Sequence, residues 1–92
     1  MKFPFDEPKN TAVITCSHII ENGFDILYVS HDEKDGMWQF LCGGTHVQED
    51  ARIVSLNEIF MIDNTISRLA NMPCGYIAER ESKNASWIIK KR

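Results

Sequence analysis

The sequence lacks an apolar run that approaches the roughly 20 residues needed to cross a membrane. Its first eight residues hold two prolines and two acids in place of a long apolar stretch, which argues against a secretory signal. The three cysteines, Cys16, Cys42 and Cys74, are odd in number and widely spaced, a pattern typical of reduced thiols rather than of a disulfide framework. These absences predict a cytoplasmic protein with no membrane partner.

Motifs for phosphate, metal and nucleophilic chemistry are also missing. Gly43-Gly44-Thr45 is not followed by the lysine of a phosphate-binding loop. Cys16-x-His18 would place both side chains on one strand face among apolar neighbours, where cysteines without a metal are usual. Cys42 with His46 is the candidate for an activated thiol, but no third residue can be named that would orient the histidine. The sequence therefore predicts no cofactor, no metal and no enzymatic activity, with a zinc- or thiol-dependent enzyme as the least favoured alternative.

The net charge of −3 hides an uneven distribution. Residues 21–63 hold nine acids against two bases, whereas residues 64–92 hold two acids against six bases. The acidic middle of the chain favours a basic protein partner. Trp87 followed by Lys90, Lys91 and Arg92 is too small a basic aromatic cluster to predict nucleic-acid binding.

What the chain does contain is an ordinary globular composition, with 43% hydrophobic and 25% charged residues among 92. Residues 1–10 predict an extended N-terminal arm that pins Phe3 and Phe5 onto a single domain of residues 11–92. The centre of that domain is the aromatic stretch 38–44, which runs into a double glycine.

Three strands are predicted in the first half of the chain. Residues 12–20 are rich in β-branched side chains, and Asn22-Gly23 is the strongest short signal for a hairpin. Residues 24–31 alternate, and residues 37–42 form the third strand after a polar loop that closes with Asp-Gly. We therefore expect a three-stranded antiparallel meander.

The second half predicts helix and then a hairpin. Ser55-Leu56-Asn57-Glu58 matches a capping box, and residues 52–54 before it form a short extended piece. Residues 75–80 and 86–89 predict two final strands. The expected class is α+β, a mostly antiparallel sheet with one or two short helices on one face. The apolar stripe that would face the sheet comprises Leu56, Ile59, Phe60, Ile62, Ile66 and Leu69.

A further pattern runs through most of the chain. It comprises Ile26-Leu27-Tyr28-Val29, Asp35-Gly36, Trp38-x-Phe40-x-x-Gly43, Glu49-Asp50-Ala51, Val54-Ser55-Leu56-x-Glu58-Ile59, Asp63, Leu69, Pro73-x-Gly75 and Arg80. With this pattern, residues 12–90 resemble a family of small bacterial proteins long classed as a domain of unknown function, which is also grouped with the immunity proteins of bacterial polymorphic toxin systems. The Asp-Pro that is usual in that family is replaced here by Asp63-Asn64, and the resemblance supplies no catalytic residue.

The resemblance and the charge distribution together predict a non-enzymatic protein-binding module, an immunity protein that neutralises a toxin through an acidic surface. The alternative is a small regulatory or accessory domain that forms a homodimer through an exposed sheet edge. The residues expected to contact the protein partner are Asp32, Glu33, Asp35, Glu49 and Asp50.

Overall fold

In the computed structural model, which describes residues 3–44 and 47–92, six strands form one sheet in the order β4-β1-β3-β2-β5-β6. Neighbouring strands are antiparallel except for β1 and β3, which run parallel. The α+β class and the mostly antiparallel sheet are thus confirmed. The strands are β1 (Ala12–Cys16), β2 (Tyr28–His31), β3 (Trp38–Leu41), β4 (Ala51–Ser55), β5 (Tyr76–Glu79) and β6 (Ile88–Lys91).

The helical elements are short. They are α1 (Ser17–Asn22), a 3₁₀ turn (Gln48–Asp50), α2 (Leu56–Ile62) and a 3₁₀ helix (Asn64–Leu69).

The capping box predicted at the start of α2 is confirmed. The Ser55 hydroxyl accepts a hydrogen bond from the Glu58 amide at 3.1 Å, and the Glu58 carboxylate accepts one from the Ser55 amide at 3.4 Å. Each half of the box satisfies an amide that the first helical turn leaves without a partner. Asp63 does the same for the following 3₁₀ helix, because its carboxylate accepts the Thr65 amide at 2.9 Å.

The predicted hairpin at Asn22-Gly23 is wrong, and the strand predicted over residues 12–20 is confirmed only for residues 12–16. The strand β1 ends at Cys16, and the chain turns directly into α1. Gly23 has a φ of 71° and its amide bonds to the His18 carbonyl, which makes it the left-handed residue that ends the helix. Asn-Gly favours positive φ in either setting, so the dipeptide alone does not distinguish a hairpin from a helix end.

The three-stranded meander is therefore not formed as predicted. The hairpin β2–β3 is present, but β1 pairs with the far edge of β3 and runs parallel to it. The short piece predicted at residues 52–54 is a full strand, β4, that pairs along its length with β1. The predicted C-terminal hairpin is confirmed as β5 and β6.

The core lies on one face of the sheet. Alternate strand residues point into it, and burial of each large apolar side chain contributes roughly 1.5–3 kcal/mol. Phe5 packs edge-on against Trp38 at 5.4 Å, and Phe3 packs against Phe60 at 5.6 Å, so both phenylalanines near the N-terminus lie on the domain. Buried residues include Val13, Val29, Trp38, Phe40 and Ala78 of the sheet and Leu56, Ile59, Ile66 and Leu69 of the helices.

Candidate functional site

The first acidic stretch of the sequence lies in the loop between β2 and β3. The Asp32 carboxylate accepts the amides of Lys34 at 2.7 Å and Asp35 at 3.4 Å, and Asp35 accepts the Met37 amide at 2.9 Å. The hydrogen bond from the Lys34 amide is the main reason why the pKa of Asp32 lies below its usual range. Glu33 and Asp35 are exposed. These acids shape the loop and present charge to solvent.

The second acidic stretch lies in the 3₁₀ turn after β3. Asp50 accepts the Val47 amide at 3.1 Å, and the Ser17 hydroxyl donates to its other oxygen at 3.5 Å. Glu49 is exposed. Because Ser17 follows the end of β1 and β1 runs parallel to β3, this turn lies at the carboxyl end of β3, beyond Leu41.

The structure does not bring the two acidic stretches together. The β2–β3 loop precedes Trp38 and therefore lies at the amino end of β3. Four residues of strand separate the two ends, a distance of about 13 Å. The predicted partner-binding residues thus form two groups, one at each end of the strand.

The sheet face opposite the core carries apolar side chains and is called here the open face. Ile14 of β1 lies between Ile53 and Gln39 in the strand register, and Leu41 lies opposite Tyr28. Ile53 is 73% exposed, and the other four are half-buried. The amphipathic alternation that builds the core thus leaves a second apolar surface.

A shallow groove of about 170 Å³ marks the acidic side of the open face. Ile14, Leu41, Val47 and Asp50 are among the residues that line it, and Val47 is 60% exposed. Apolar contact area and a carboxylate therefore lie side by side at the carboxyl end of β3.

Two thiols and an imidazole also meet at this end. The ligand atoms of Cys16, His18 and Cys42 all lie within 4.8 Å of one another, and Cys42 Sγ is 3.8 Å from His18 Nδ1. Burial raises the pKa of the Cys16 thiol, which is accordingly protonated at neutral pH. The prediction that Cys16 and His18 share a strand face is wrong, since His18 lies in α1. His46 falls outside the described residues, so the Cys42–His46 pair stays a prediction.

A second cysteine–histidine contact lies at the amino end of β3. His31 Nδ1 donates to the Met72 carbonyl at 2.8 Å, and its Nε2 is 3.5 Å from Cys74 Sγ. The imidazole stacks on Trp38 at 3.9 Å, and the Trp38 indole donates to the Glu7 carboxylate at 2.7 Å. The anchored Nδ1–H leaves Nε2 of the neutral ring as the nitrogen that can accept a proton from the exposed Cys74 thiol.

A buried ion pair joins the helices to the sheet. Arg80 donates to the Asp63 carboxylate at 2.7 Å and to the Ile26 carbonyl at 2.9 Å. Burial alone would raise the pKa of Asp63, but hydrogen bonds from Thr65 and Arg80 outweigh it and hold that pKa below its usual range. Both side chains are almost fully buried, so the pair is structural. The Arg80 guanidinium also lies over the Trp87 ring, 4.1 Å from the ring centroid.

Comparisons with protein-family models, with curated proteins and with solved structures found no match for this chain. Among the described residues, no helix combines the length and the apolar composition needed to cross a membrane.

Proposed function

We propose that the chain is a non-enzymatic protein-binding module, and more specifically an immunity protein that neutralises a bacterial toxin by direct contact. The observation that carries the binding function is the apolar open face, with Ile53 of β4 and Ile88 of β6 exposed by 73% and 66%. Exposed apolar patches on small soluble proteins commonly mark interaction sites. The proposal that the partner is a toxin rests on the resemblance of the sequence to polymorphic-toxin immunity proteins.

The charge around the open face favours a basic partner that presents apolar side chains. Asp50 lines the groove at the carboxyl end of β3, and the exposed Glu49 precedes it in the same 3₁₀ turn. Complementary charge at the rim of an interface mainly accelerates association, while the apolar centre sets the lifetime of the complex.

One partner of ordinary size can reach both acidic groups. A standard interface covers about 800 Å² on each partner, which corresponds to a patch roughly 30 Å across. The two ends of β3 are only about 13 Å apart. Asp32, Glu33 and Asp35 therefore belong to the proposed contact surface along with Glu49 and Asp50, although they do not adjoin them.

The test is neutralisation in a bacterial host. The product of the neighbouring gene is expressed with and without this protein, and growth is followed. We expect the wild-type chain to restore growth and Ile53→Asp and Glu49→Lys to lose that protection. Met61→Asp is the matched control, because Met61 is 74% exposed on α2, away from the open face.

The proposal fails if the neighbouring product is harmless, or if Ile53→Asp protects as well as Met61→Asp does. If the proposal holds, a further variant at the opposite end of β3, Glu33→Lys, shows whether the partner contacts both acidic groups. Loss of protection in that variant supports a broad interface, whereas full protection confines the contact to the carboxyl end.

A homodimer is the second candidate function, and the edge strand β6 favours it. All four of its side chains are exposed, including Ile88 and Ile89, and its outer edge has no strand neighbour within the described part of the chain. Lys90 and Lys91 oppose edge-to-edge pairing by repulsion. Light scattering distinguishes the two candidate functions. A stable dimer in the wild-type chain that becomes a monomer in Ile89→Lys would support the homodimer over the toxin-binding protein.

A further inference from the structure

The cluster of Cys16, His18 and Cys42 has the composition and the geometry of a metal site. Two sulfur atoms and one imidazole nitrogen lie within 4.8 Å of one another. We propose that these three side chains bind a zinc ion. Cysteine and histidine are the ligands that zinc prefers in proteins.

The observed distances are close to those that zinc requires. Bond lengths of about 2.3 Å to sulfur and about 2.0–2.1 Å to nitrogen place tetrahedral ligands roughly 3.6–3.8 Å apart. Cys42 Sγ and His18 Nδ1 are already 3.8 Å apart. The remaining separations need to shorten by at most about 1 Å, which side-chain torsions supply without moving the backbone.

The sheet holds the two cysteine ligands in place. Cys16 is the last residue of β1 and Cys42 directly follows β3, and these strands are parallel neighbours. The Thr15 hydroxyl adds a buried hydrogen bond to the Phe40 carbonyl at 2.6 Å, one residue or two before each cysteine. Both ligand-bearing strand ends are thus fixed relative to each other before any ion arrives, which lowers the entropic cost of binding.

Charge balance suits a buried site. Cys16 and Cys42 are buried, and each gives its proton to solvent when it becomes a thiolate ligand. Two thiolates, a neutral imidazole and Zn²⁺ carry no net charge together, so the complex avoids the cost of an isolated buried ion. Three protein ligands leave the fourth position of a tetrahedral zinc to water.

A zinc ion here would brace the carboxyl end of β3. Cys42 begins the connection that carries Glu49 and Asp50, and Cys16 is the N-cap residue of α1. The ion would tie that connection to β1, irrespective of whether a protein partner binds the open face.

The test uses the purified full chain and Co²⁺ as a spectroscopic substitute for zinc. We expect one metal ion per chain after dialysis and a thiolate-to-cobalt charge-transfer absorption that excess Zn²⁺ abolishes. Cys16→Ser and Cys42→Ser should lose both signals and His18→Ala should weaken binding. Cys74→Ser, the matched control, should retain them, because Cys74 lies at the other end of β3.

A second measurement needs no variant and so does not depend on how the variants fold. Zn²⁺ should slow alkylation of Cys16 and Cys42 in the wild-type chain, read by mass spectrometry, while the rate at Cys74 stays unchanged. The zinc site is refuted if the reduced protein binds no metal, if Cys74→Ser loses the ion equally, or if Zn²⁺ protects none of the buried thiols.

Discussion

The two ends of β3 carry the same residue types in opposite environments. At the carboxyl end, the buried thiols of Cys16 and Cys42 cluster with the half-buried His18. The buried Asp63–Arg80 pair lies at the same end of the sheet, because the Arg80 amide bonds to the Leu27 carbonyl and the Leu27 amide bonds to the Leu41 carbonyl. At the amino end, the Cys74 thiol, Glu33 and Asp35 face solvent. Each end thus has acids and a cysteine–histidine contact.

Burial decides what these groups can do. A buried polar group must find partners within the protein. The buried groups at the carboxyl end are therefore suited to hydrogen-bonded ion pairs and to metal ligation. An exposed group is hydrated and screened, so the amino end contributes reactivity and long-range charge but little stability.

The largest effect should follow from breaking the buried ion pair. Arg80→Met leaves the Asp63 carboxylate buried without its charged partner, and we expect the free energy of unfolding to fall by about 3–5 kcal/mol. Lys90→Met is the matched control, because it breaks the exposed pair with Glu79 at 3.2 Å and should cost at most about 1 kcal/mol. Urea denaturation followed by tryptophan fluorescence measures both. Equal losses of unfolding free energy in the two variants would mean that burial does not make the Asp63–Arg80 pair more important for stability than the Glu79–Lys90 pair.

Acid should weaken the fold chiefly through Asp63. Its pKa is lowered in the folded state, so its contribution is complete above the unfolded value of about 4 and is lost as the pH falls through the folded value. The slope of unfolding free energy against pH in that acidic window should flatten in Asp63→Asn. Asp32→Asn should change the slope little, since Asp32 is screened by solvent although its pKa is also lowered. A larger change of slope in Asp32→Asn than in Asp63→Asn would contradict the view that the buried carboxylate dominates acid stability.

The three thiols should differ in reactivity. In the folded, metal-free protein we expect Cys74 to react with a disulfide reagent such as DTNB roughly 100-fold faster than Cys16 or Cys42, which must wait for local opening. Cys74→Ser should remove the fast phase, and denaturant should make the remaining thiols react alike. A single common rate in the folded wild-type protein contradicts the assignment of buried and exposed thiols.

The smallest effect concerns the imidazole beside Cys74. His31→Gln removes a proton acceptor 3.5 Å from the thiol, and we expect the reaction of Cys74 to slow by roughly threefold to tenfold near neutral pH. His18→Gln makes the same change at the other end of β3 and should leave the Cys74 rate unaltered. If both variants slow Cys74 equally, the change is in overall stability and not in the local proton acceptor.

The features that the sequence predicted correctly depend on interactions between residues close together in the chain. The capping box at Ser55 and Glu58 and the C-terminal hairpin each depend on side chains a few residues apart. The predicted apolar stripe of the helices is buried except at Ile62, which is 45% exposed. The failure at Asn22-Gly23 is also local, because one backbone requirement serves two different structures.

The carboxyl-end cluster could not be predicted in this way. Cys16 and Cys42 meet because β1 and β3 pair in parallel, and no short-range pattern encodes which strands become neighbours. The signal that was available is Cys16-x-His18, two ligand types close in sequence. Its interpretation depended on a strand that in fact ends at Cys16.

The position of β1 between β4 and β3 has a consequence for the order of events during synthesis. Both neighbours of β1 are made after it, and its antiparallel partner β4 is complete only when Ser55 has emerged. A nascent chain therefore holds β1 with two unsatisfied edges while more than half of the domain is still to come. Pairing between strands that are distant in sequence slows folding, and the unpaired edges of β1 are open to other chains until β3 and β4 have been made. The pairing of β1 is therefore the folding step at which a chaperone would matter most.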